Sequence, residues 1–340
     1  MKRRALRILF LLGAFVILAT VVAPPPRRPA LGPGESALMA IPVSLDAANP
    51  GRRRAGALHF RRGWQLTSHD PRFGGLSAIH VANDEVIALT DSGVVMSFDY
   101  PGSSADRRVR FTPLAGPGRA VRRNRDTESL ALRGNHAWVG FERHNMVWRY
   151  RTDDWTAEAA ARPAAIRRWR RNSGAETLVA LADGRFLAIA EGRDGARFSE
   201  VVLFAGDPAE AETAAVTLRY RRLEGFLPTD AAVLPDGRLL VLNRSISLFG
   251  GMAAKLAIVD LASLQPGTVL EGQEISALTP PLTVDNMEAL SIAREDGRIL
   301  VRIASDDNYL ALQRTLLLEF ELDERALPSD RKVRPAALTP

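Results

Sequence analysis

The chain has 340 residues and is 46% hydrophobic, so it can bury a large core in one all-β domain or two ordinary ones. Its net charge is +6, but six basic and no acidic residues lie in the first thirty positions, and the remainder carries 39 of each sign, which argues against a nucleic-acid-binding surface. The absence of cysteine excludes disulfides, thiolate nucleophiles and cysteine-ligated zinc.

The N-terminus has the pattern of an export signal or a membrane anchor helix. A basic segment ends at Arg7, an uncharged apolar run extends from Ile8 to Ala23, and three prolines follow. The run is somewhat shorter than the roughly 20 residues of a full membrane span, and Pro24 would hinder cleavage after Ala23, which favours an uncleaved anchor. We therefore expect an exported protein, periplasmic or tethered to the outer face of the inner membrane. The expected division is a signal peptide or membrane anchor (1–23), a Pro-rich linker (24–37) and a folded domain (38–340).

Five stretches of the folded part repeat one order: an apolar run, a turn and a second apolar run. They begin at Gly75, Glu128, Glu176, Asp230 and Glu288, at intervals of 53, 48, 54 and 58 residues. Three of the turns contain Asp-Gly, which predicts two-residue hairpins with type I′ turns: Asp183-Gly184, Asp236-Gly237 and Asp296-Gly297. Repeats of about 50 residues made of strands alone indicate a β-propeller.

The segment from Ala37 to Gln65 adds strands for a further unit, closed together with the C-terminal tail. The sequence therefore predicts an all-β fold, a β-propeller of six blades. The alternative is a β-sandwich, which has no reason to repeat acidic positions.

Acidic residues stand at both ends of these hairpins. In an antiparallel hairpin the first residue of one strand and the last of the other are neighbours, so each blade should present its polar pair at one edge. The expected pairs are Glu128 with Glu142, Glu176 with Glu191, Asp230 with Asn243 and Arg244, and Glu288 with Asp306 and Asp307, while Asp91 ends the first hairpin.

Radial repetition of these blades predicts a ring of carboxylates around one opening of the propeller. Oxygen donors without cysteine suit hard cations, above all Ca²⁺. Arginines stand beside several of the acids, and a guanidinium matches the geometry of a phosphate or a carboxylate. We therefore expect a site that binds Ca²⁺ and a small anion, with phosphate the leading candidate.

Several motifs of the chain resemble the phytase-like family of exported bacterial proteins described as having "esterase-like activity of phytase". The resemblance spans roughly residues 56 to 323, and it implies a β-propeller and calcium-assisted cleavage of phosphate esters. Asn243 stands where the pattern leads us to expect a glutamate. The motifs are "FGGLSAI" with "TDSG", "RDTESLAL" with "GFERHN", "GAETLVALADGRFLAIAEG", "PTDAAVLPDGRLLVLNR", and "DNMEALSI" with "SDDNYLALQRTLL".

The predicted function is hydrolysis of a phosphate ester, a small anionic substrate, with Ca²⁺ as cofactor. The ions would polarise a phosphoryl oxygen and activate water for in-line attack. A serine esterase is disfavoured because the chain has no Gly-x-Ser-x-Gly, and neither HExxH nor a Walker loop is present. We expect metal ligation by Asp91, Glu128, Glu142, Glu176, Glu191, Asp230, Glu288 and Asp306, substrate binding by Arg143, Arg193 and Arg244, and catalytic roles for Glu128, Arg143, Arg244 and His144.

The alternative function is a non-catalytic envelope binding module, a propeller that calcium stabilises. No nucleic acid is expected as a partner, and contact with a membrane is expected only through the N-terminal segment. The sequence gives no oligomeric state.

Overall fold

A computed structural model describes residues 32–102, 107–118, 125–170, 174–192, 195–247 and 250–328. The predicted signal or anchor at 1–23 and linker residues 24–31 lie outside the described residues. Within the described ranges, no helix has the length and apolar character needed to cross a membrane.

The described chain is built almost entirely from β-strands, with two short 3-10 turns, Glu142–His144 and Glu324–Ala326. The strands are β1 (Gly34–Ala37), β2 (Met39–Pro42), β3 (Arg54–Ala55), β4 (Leu58–Thr67), β5 (Leu76–Ala82), β6 (Glu85–Thr90), β7 (Val94–Asp99), β8 (Arg108–Pro113), β9 (Thr127–Arg133), β10 (His136–Phe141), β11 (Met146–Arg151), β12 (Ala157–Ala161), β13 (Ala175–Ala180), β14 (Phe186–Ala190), β15 (Phe198–Phe204), β16 (Ala215–Arg221), β17 (Leu227–Val233), β18 (Leu239–Ser247), β19 (Gly251–Val259), β20 (Val269–Leu278), β21 (Met287–Glu295), β22 (Arg298–Ser305) and β23 (Thr315–Leu322). The expected all-β class is confirmed.

These strands form four-stranded antiparallel units, which we call blades 1 to 5. Blade 1 is β5 to β8 with β1 added outside, blade 2 is β9 to β12, blade 3 is β13 to β16, and blade 4 is β17 to β20. Blade 5 consists of β21, β22, β23 and β4, with β2 and β3 attached to β4. The outer strands of blades 3 and 4 also pair in parallel, so those two blades share one eight-stranded sheet.

The blades close into a ring. The inner strands β5, β9, β13, β17 and β21 lie side by side in that order, and β21 lies beside β5. Blade 5 joins an early strand of the described chain to its last one. In this blade β4 pairs antiparallel with β23, from Leu58 opposite Leu322 to Leu66 opposite Thr315. This arrangement is that of a β-propeller.

The six-blade prediction is not confirmed, and the described residues give five blades. Residues 37–65 were expected to supply strands for a sixth blade, closed together with the C-terminal tail. Instead β4 completes the sheet begun by β21 to β23, since blade 5 would otherwise end at β23 with an unpaired edge. The N-terminal strands therefore close the ring without enlarging it.

The core is divided among the blade interfaces. One apolar cluster lies between each pair of neighbouring blades; Leu242 of blade 4 and Leu290 of blade 5 share one, for example, and Trp138 of blade 2 and Phe186 of blade 3 share another. A strand between two such clusters is covered on both faces, as in β14, which is buried throughout. This explains the continuous apolar runs of the repeats.

The Asp-Gly turns adopt two different geometries. At Asp296-Gly297 both residues have positive φ, as the predicted type I′ turn requires. At Gly184 and Gly237 only the glycine has positive φ, and its N–H donates to the carbonyl three residues earlier. These two hairpins therefore have three-residue loops in which glycine takes the left-handed position, and the type I′ prediction is wrong there.

Candidate functional site: the mouth of the propeller

Every inner strand contains a β-bulge at the same place. In the pairing of the first two strands of each blade, one residue is skipped just after the strand begins. A bulge bends the strand and re-aims the side chain of the extra residue, and such bulges are common beside active sites. The skipped residues are Ser77, Glu128, Glu176, Thr229 and Glu288.

A second set of equivalent positions lies beside these bulges: in each second strand it is the residue directly after the one that pairs with the residue preceding the bulge. Both sets occupy the same end of their blades because the strands are antiparallel. We call the ten positions together the mouth. The second set is Asp91, Glu142, Glu191, Arg244 and Asp306.

The acidic side chains of the mouth lie near enough to raise one another's pKa. Burial raises the pKa of Glu128 well above its ordinary value, and Glu176, Asp126, Glu142 and Asp91 raise it further. On the far side burial raises the pKa of Asp306, as do Asp91 and Glu288. The interactions thus extend around the ring from blade 1 to blade 5 and back, as expected for carboxylates that share one opening.

The register changes the expected role of two residues in blade 4. Asp230 lies one position beyond the bulge, and its two carboxylate oxygens accept the N–H groups of Ala231 (2.8 Å) and Leu290 (2.7 Å). Asp230 therefore links blades 4 and 5 through the backbone. Asn243 is fully buried and accepts a hydrogen bond from the Tyr220 hydroxyl at 3.1 Å.

The fourth blade contributes Arg244 to the mouth, at the position where the other blades have Asp91, Glu142, Glu191 and Asp306. The expectation that Asn243 replaces a ring glutamate is therefore wrong by one residue. The substitution at this place reverses a charge: an arginine stands among carboxylates.

One side of the mouth has three carboxylates close together, which we call the carboxylate triad: Asp126, Glu128 and Glu142. One oxygen from each lies within 4.8 Å of the others. Glu142 accepts the N–H of Gly174 at 3.0 Å, and a side chain at Gly174 would collide with Glu142. Burial raises the pKa of Glu142 to about 7, against the effect of that hydrogen bond.

Asp126 was not among the expected ligands, although it stands two residues before Glu128. It lies just before β9, and the Nε of Arg143 lies 2.5 Å from its Oδ2. Its signal in the sequence was its place in the "RDTE" motif. Asp126 and Glu128 stand two residues apart. The bulge hid the relation between them, because the alternation of a strand does not reveal which residue a bulge skips.

The opposite side of the mouth is organised by Arg244. Its Nη2 lies 3.0 Å from Oε1 of Glu191, its Nε lies 3.0 Å from Oε1 of Glu288, and its Nη1 donates to Asn286. Burial alone would lower the pKa of Arg244, but Glu288, Glu191, Glu176 and Asp306 raise it. The guanidinium therefore stays charged and bridges blades 3 and 5 from blade 4.

Glu176 stands between the two sides. Burial raises its pKa well above the ordinary value, Glu191, Glu142 and Glu288 raise it further, and Arg244 lowers it. The carboxylate triad and Arg244 are thus neighbours of one common residue. A ligand with an anionic group and a bound cation would meet both sides of the mouth.

The loop after β22 holds the first blade in place at the mouth. Asp307 accepts the N–H groups of Gly75 (3.0 Å) and Tyr309 (2.9 Å). Gly74 and Gly75 have positive φ, and a Cβ at either would collide with Asp307 or with Asp91 and Tyr309. Glycine is therefore required where the chain enters β5.

The remaining predicted residues occupy the rim or lie elsewhere. Arg143 is exposed and His144 is half-buried, and both belong to the 3-10 turn that follows β10. Arg193 lies outside the described residues. The structure thus brings the predicted acids together except for Asp230, whose oxygens the backbone occupies.

A cavity of about 880 Å³ opens beside the mouth. Glu191 and Arg244 line it, together with the residues around Arg197 and the turn that precedes β17. The arginine side of the mouth is therefore accessible to a small molecule.

The donor set of the carboxylate triad fits a hard cation, because three carboxylates supply only oxygen atoms. Burial first, and then the neighbouring carboxylates, raise the pKa of Glu128 and of Glu142, so their charged forms are costly unless a cation lies between them.

Fold and site together define a β-propeller with an acidic mouth that contains one arginine. The model of the Phytase-like family, described as esterase-like activity of phytase, matches residues 71–309. The chain belongs to this family, so the resemblance noted in the motifs is confirmed. No curated protein matches the chain.

Solved structures with related folds share little sequence with this chain. Glutaminyl cyclase from Myxococcus xanthus is 12% identical, with a TM-score of 0.44, over 78% of this chain and 97% of that one. The β-propeller domain of Cps50 (Swd1) from Myceliophteria thermophila is 11% identical, with a TM-score of 0.38, over 72% and 97%. A chain of a nidogen/laminin complex is 10% identical, with a TM-score of 0.40, over 80% and 88%.

Proposed function

We propose that this protein is an exported phosphoric ester hydrolase that cleaves a phosphate ester at the mouth with the help of Ca²⁺. The observation that carries the proposal is the placement of the carboxylate triad and Arg244 as neighbours of Glu176 at one end of the propeller. A cation site next to a fixed guanidinium suits an anionic ester.

Asp126, Glu128 and Glu142 would hold the calcium ion, with Glu176 and Asp91 next to them. When bound, the ion supplies Lewis-acid polarisation of a phosphoryl oxygen and a lower pKa for water. The protein's own contribution is to hold the carboxylates in position. The bulge directs Glu128, and the Gly174 N–H fixes one oxygen of Glu142 at 3.0 Å.

Arg244 would bind the phosphate group of the ester. Glu191 and Glu288 hold its guanidinium at 3.0 Å each, so it is already oriented before a substrate arrives. A fixed positive charge of this kind favours the transition state, in which charge develops on the phosphate oxygens. Arg143, on the rim, would add a second positive charge beside the triad.

His144 would protonate the leaving alcohol. It follows Arg143 in the turn at the rim and is half-buried. An imidazole serves as a general acid near neutral pH because its ordinary pKa is about 6.5. His144→Gln should then slow esters with poor leaving groups more than activated aryl esters.

The alternative function is a non-catalytic propeller that calcium stabilises in the cell envelope. The observation that favours it is that Arg244 joins three blades through Glu191, Glu288 and Asn286, which is a structural bond. The accessible cavity beside Arg244 favours the enzyme, because a purely structural mouth would have no need of an opening of about 880 Å³.

Hydrolysis of p-nitrophenyl phosphate by the purified protein tests the proposal. We expect turnover with Ca²⁺ that stops with a chelator, and a loss of at least about a hundredfold in Glu128→Gln. Asp99→Asn is the matched control, since Asp99 is an exposed acid at the end of β7. Calcium-dependent thermal stability without turnover on phosphate or carboxylic esters would establish the non-catalytic alternative.

Export and tethering remain proposals as well. They rest on the basic and apolar pattern of residues 1–23. Expression of the full chain followed by fractionation tests them: we expect the protein with the inner membrane and accessible from its outer face. Recovery in the cytoplasm would contradict them.

A further inference from the structure

The cavity beside the mouth is much larger than a phosphate group. Its volume is about 880 Å³, within the range of roughly 300 to 1,000 Å³ that pockets for whole small ligands have. Arg244 and Glu191 belong to both the mouth and the cavity. A ligand whose phosphate lies at Arg244 would therefore extend its remaining part into the cavity.

One wall of the cavity is basic. Arg197, Arg221 and Arg222 line it in addition to Arg244, against the acids Glu191 and Glu224. Arg222 is buried and fixed: its Nε donates to the Ser199 hydroxyl (2.8 Å) and its Nη2 donates to the Glu191 carbonyl oxygen (2.6 Å). This wall favours an anionic ligand.

A glycine between the mouth and this wall leaves room for the side chain of Arg222. Gly192 follows Glu191 and has φ +82°, and a Cβ there would collide with Nη2 of Arg222. Glycine lets the guanidinium lie against the Glu191 backbone, so the mouth and the basic wall are held together by one contact.

The other wall is apolar. Leu223, Phe226, Leu227 and Ile246 line it, and Ile246 leaves 58% of its surface in water although it lies within β18. Nζ of Lys255 lies 4.8 Å from the centre of the Phe226 ring. A cavity that is lined by both arginines and apolar side chains matches a ligand with an anionic group and an apolar body.

We propose that this cavity binds the leaving group of the substrate, and that the substrate class is phosphate monoesters of aromatic or aliphatic alcohols. The inference rests on the proposed function. An inositol polyphosphate carries polar groups on every carbon and has no surface for the apolar wall. In the reaction, the oxygen of water bonds to phosphorus, the bond from phosphorus to the alcohol oxygen breaks, and the alcohol leaves with the proton of His144, which the proton released by the attacking water replaces.

Binding of non-hydrolysable phosphonates to the whole protein in calcium buffer tests the inference without requiring turnover. Titration calorimetry should give a Kd for phenylphosphonate about tenfold lower than for methylphosphonate, because only the first carries a ring to bury. Contact with the apolar wall should not increase the affinity for inositol hexakisphosphate, because this ligand has no apolar surface to bury.

Two variants locate the preference in the cavity. Ile246→Asn and Phe226→Ala should each reduce the preference for phenylphosphonate to less than about threefold while methylphosphonate binds as before. Ile41→Asn is the control, since Ile41 is an apolar side chain on β2 with 51% of its surface exposed. The control should keep the full preference.

The outcomes separate this inference from the proposed function. Equal binding of the two phosphonates, no binding of either, or a preference that survives in both cavity variants would overturn the assignment of the cavity, even if the protein hydrolyses phosphate esters. The predicted preference without turnover on any ester would support the cavity and reject the hydrolase.

Discussion

Two groups of buried carboxylates in this protein respond to burial in opposite ways. Glu319 is 2% exposed, yet its pKa is lowered: burial raises it, but hydrogen bonds from Arg62 and the Tyr100 hydroxyl and the charge of Arg302 outweigh burial. In the mouth Glu142 and Glu176 are comparably buried, and their pKa values are raised. The pKa values differ because the two groups of carboxylates have different hydrogen-bonding and charged neighbours.

The Glu319 cluster is complete in itself. Arg302 donates to Glu319 at 2.9 Å, Tyr100 donates at 2.8 Å and Arg62 donates at 2.8 Å. At the carboxylate triad Arg143, which pairs with Asp126, is exposed on the rim. Burial of charge is tolerated where built-in partners hold the pKa of a carboxyl group down, and buried carboxyl groups with a raised pKa are suited to a cation that arrives from solution.

Removing the charge of Glu319 should have the largest effect on folding. Glu319→Gln leaves Arg302, which is 2% exposed, with Glu295 at the surface as its remaining carboxylate partner, and we expect a loss of about 3 kcal/mol in urea unfolding. Glu321→Gln, on the same strand and paired with Arg61 near the surface, should lose about 1 kcal/mol or less. Equal losses would remove the contrast between built-in and surface pairs.

Asp230→Asn should have the next largest effect, although Asp230 lies beside the mouth. One of the N–H groups of Ala231 and Leu290 would face an amide N–H instead of an oxygen, at an expected cost of about 1 to 3 kcal/mol. Calcium affinity, measured by calorimetry, should stay within about threefold of the wild type. A loss of calcium binding would return Asp230 to the set of metal ligands.

Glu142→Gln should change stability in the opposite direction. The variant removes one of several repelling charges while an oxygen remains to accept the Gly174 N–H, so we expect a gain of about 1 kcal/mol in chelator. Calcium, which should stabilise the wild type, should no longer do so. Urea unfolding with and without Ca²⁺ measures both effects, and a destabilised variant that still responds to calcium would contradict the account.

The dependence of stability on pH should have the same origin, the raised pKa of Glu142. The pKa of Glu142 is about 7 in the folded protein against an ordinary value of 4.5, so the folded state holds the proton more tightly. This contribution is fully favourable below about pH 4.5 and is lost as the pH rises towards 7. In chelator, wild-type stability should therefore fall relative to Glu142→Gln between pH 5 and 8, by about 2 to 3 kcal/mol. A parallel course of the two would show that Glu142 ionises normally.

The repeated hairpins were predictable because they are local. Alternating apolar runs and turns such as Asp296-Gly297 mark the strands, and the covered faces of a blade explain their continuous apolar character. The ring of acids followed from the ends of these hairpins. The all-β class, the β-propeller and most acidic residues of the mouth could therefore be predicted from the sequence.

The blade count and the register could not be predicted from local sequence patterns. Whether β4 begins a blade or completes one depends on β23, which lies some 250 positions further along the chain. The bulge at Glu128 shifts the pairing by one residue, and a one-residue shift exchanges inward and outward positions. The bulge at Glu128 is also where Asp126 joins the carboxylate triad, and the equivalent bulge at Thr229 in blade 4 is why Arg244, rather than Asn243, occupies the ring.

The most direct test of the central claim is the position of calcium in crystals grown with Ca²⁺. Anomalous scattering should give a peak among the carboxylate oxygens of Asp126, Glu128 and Glu142, and the peak should vanish in Glu128→Gln. Absence of any peak at the mouth in the calcium-soaked wild type, or an equal peak that persists in the variant, would contradict the claim that the carboxylate triad holds a cation.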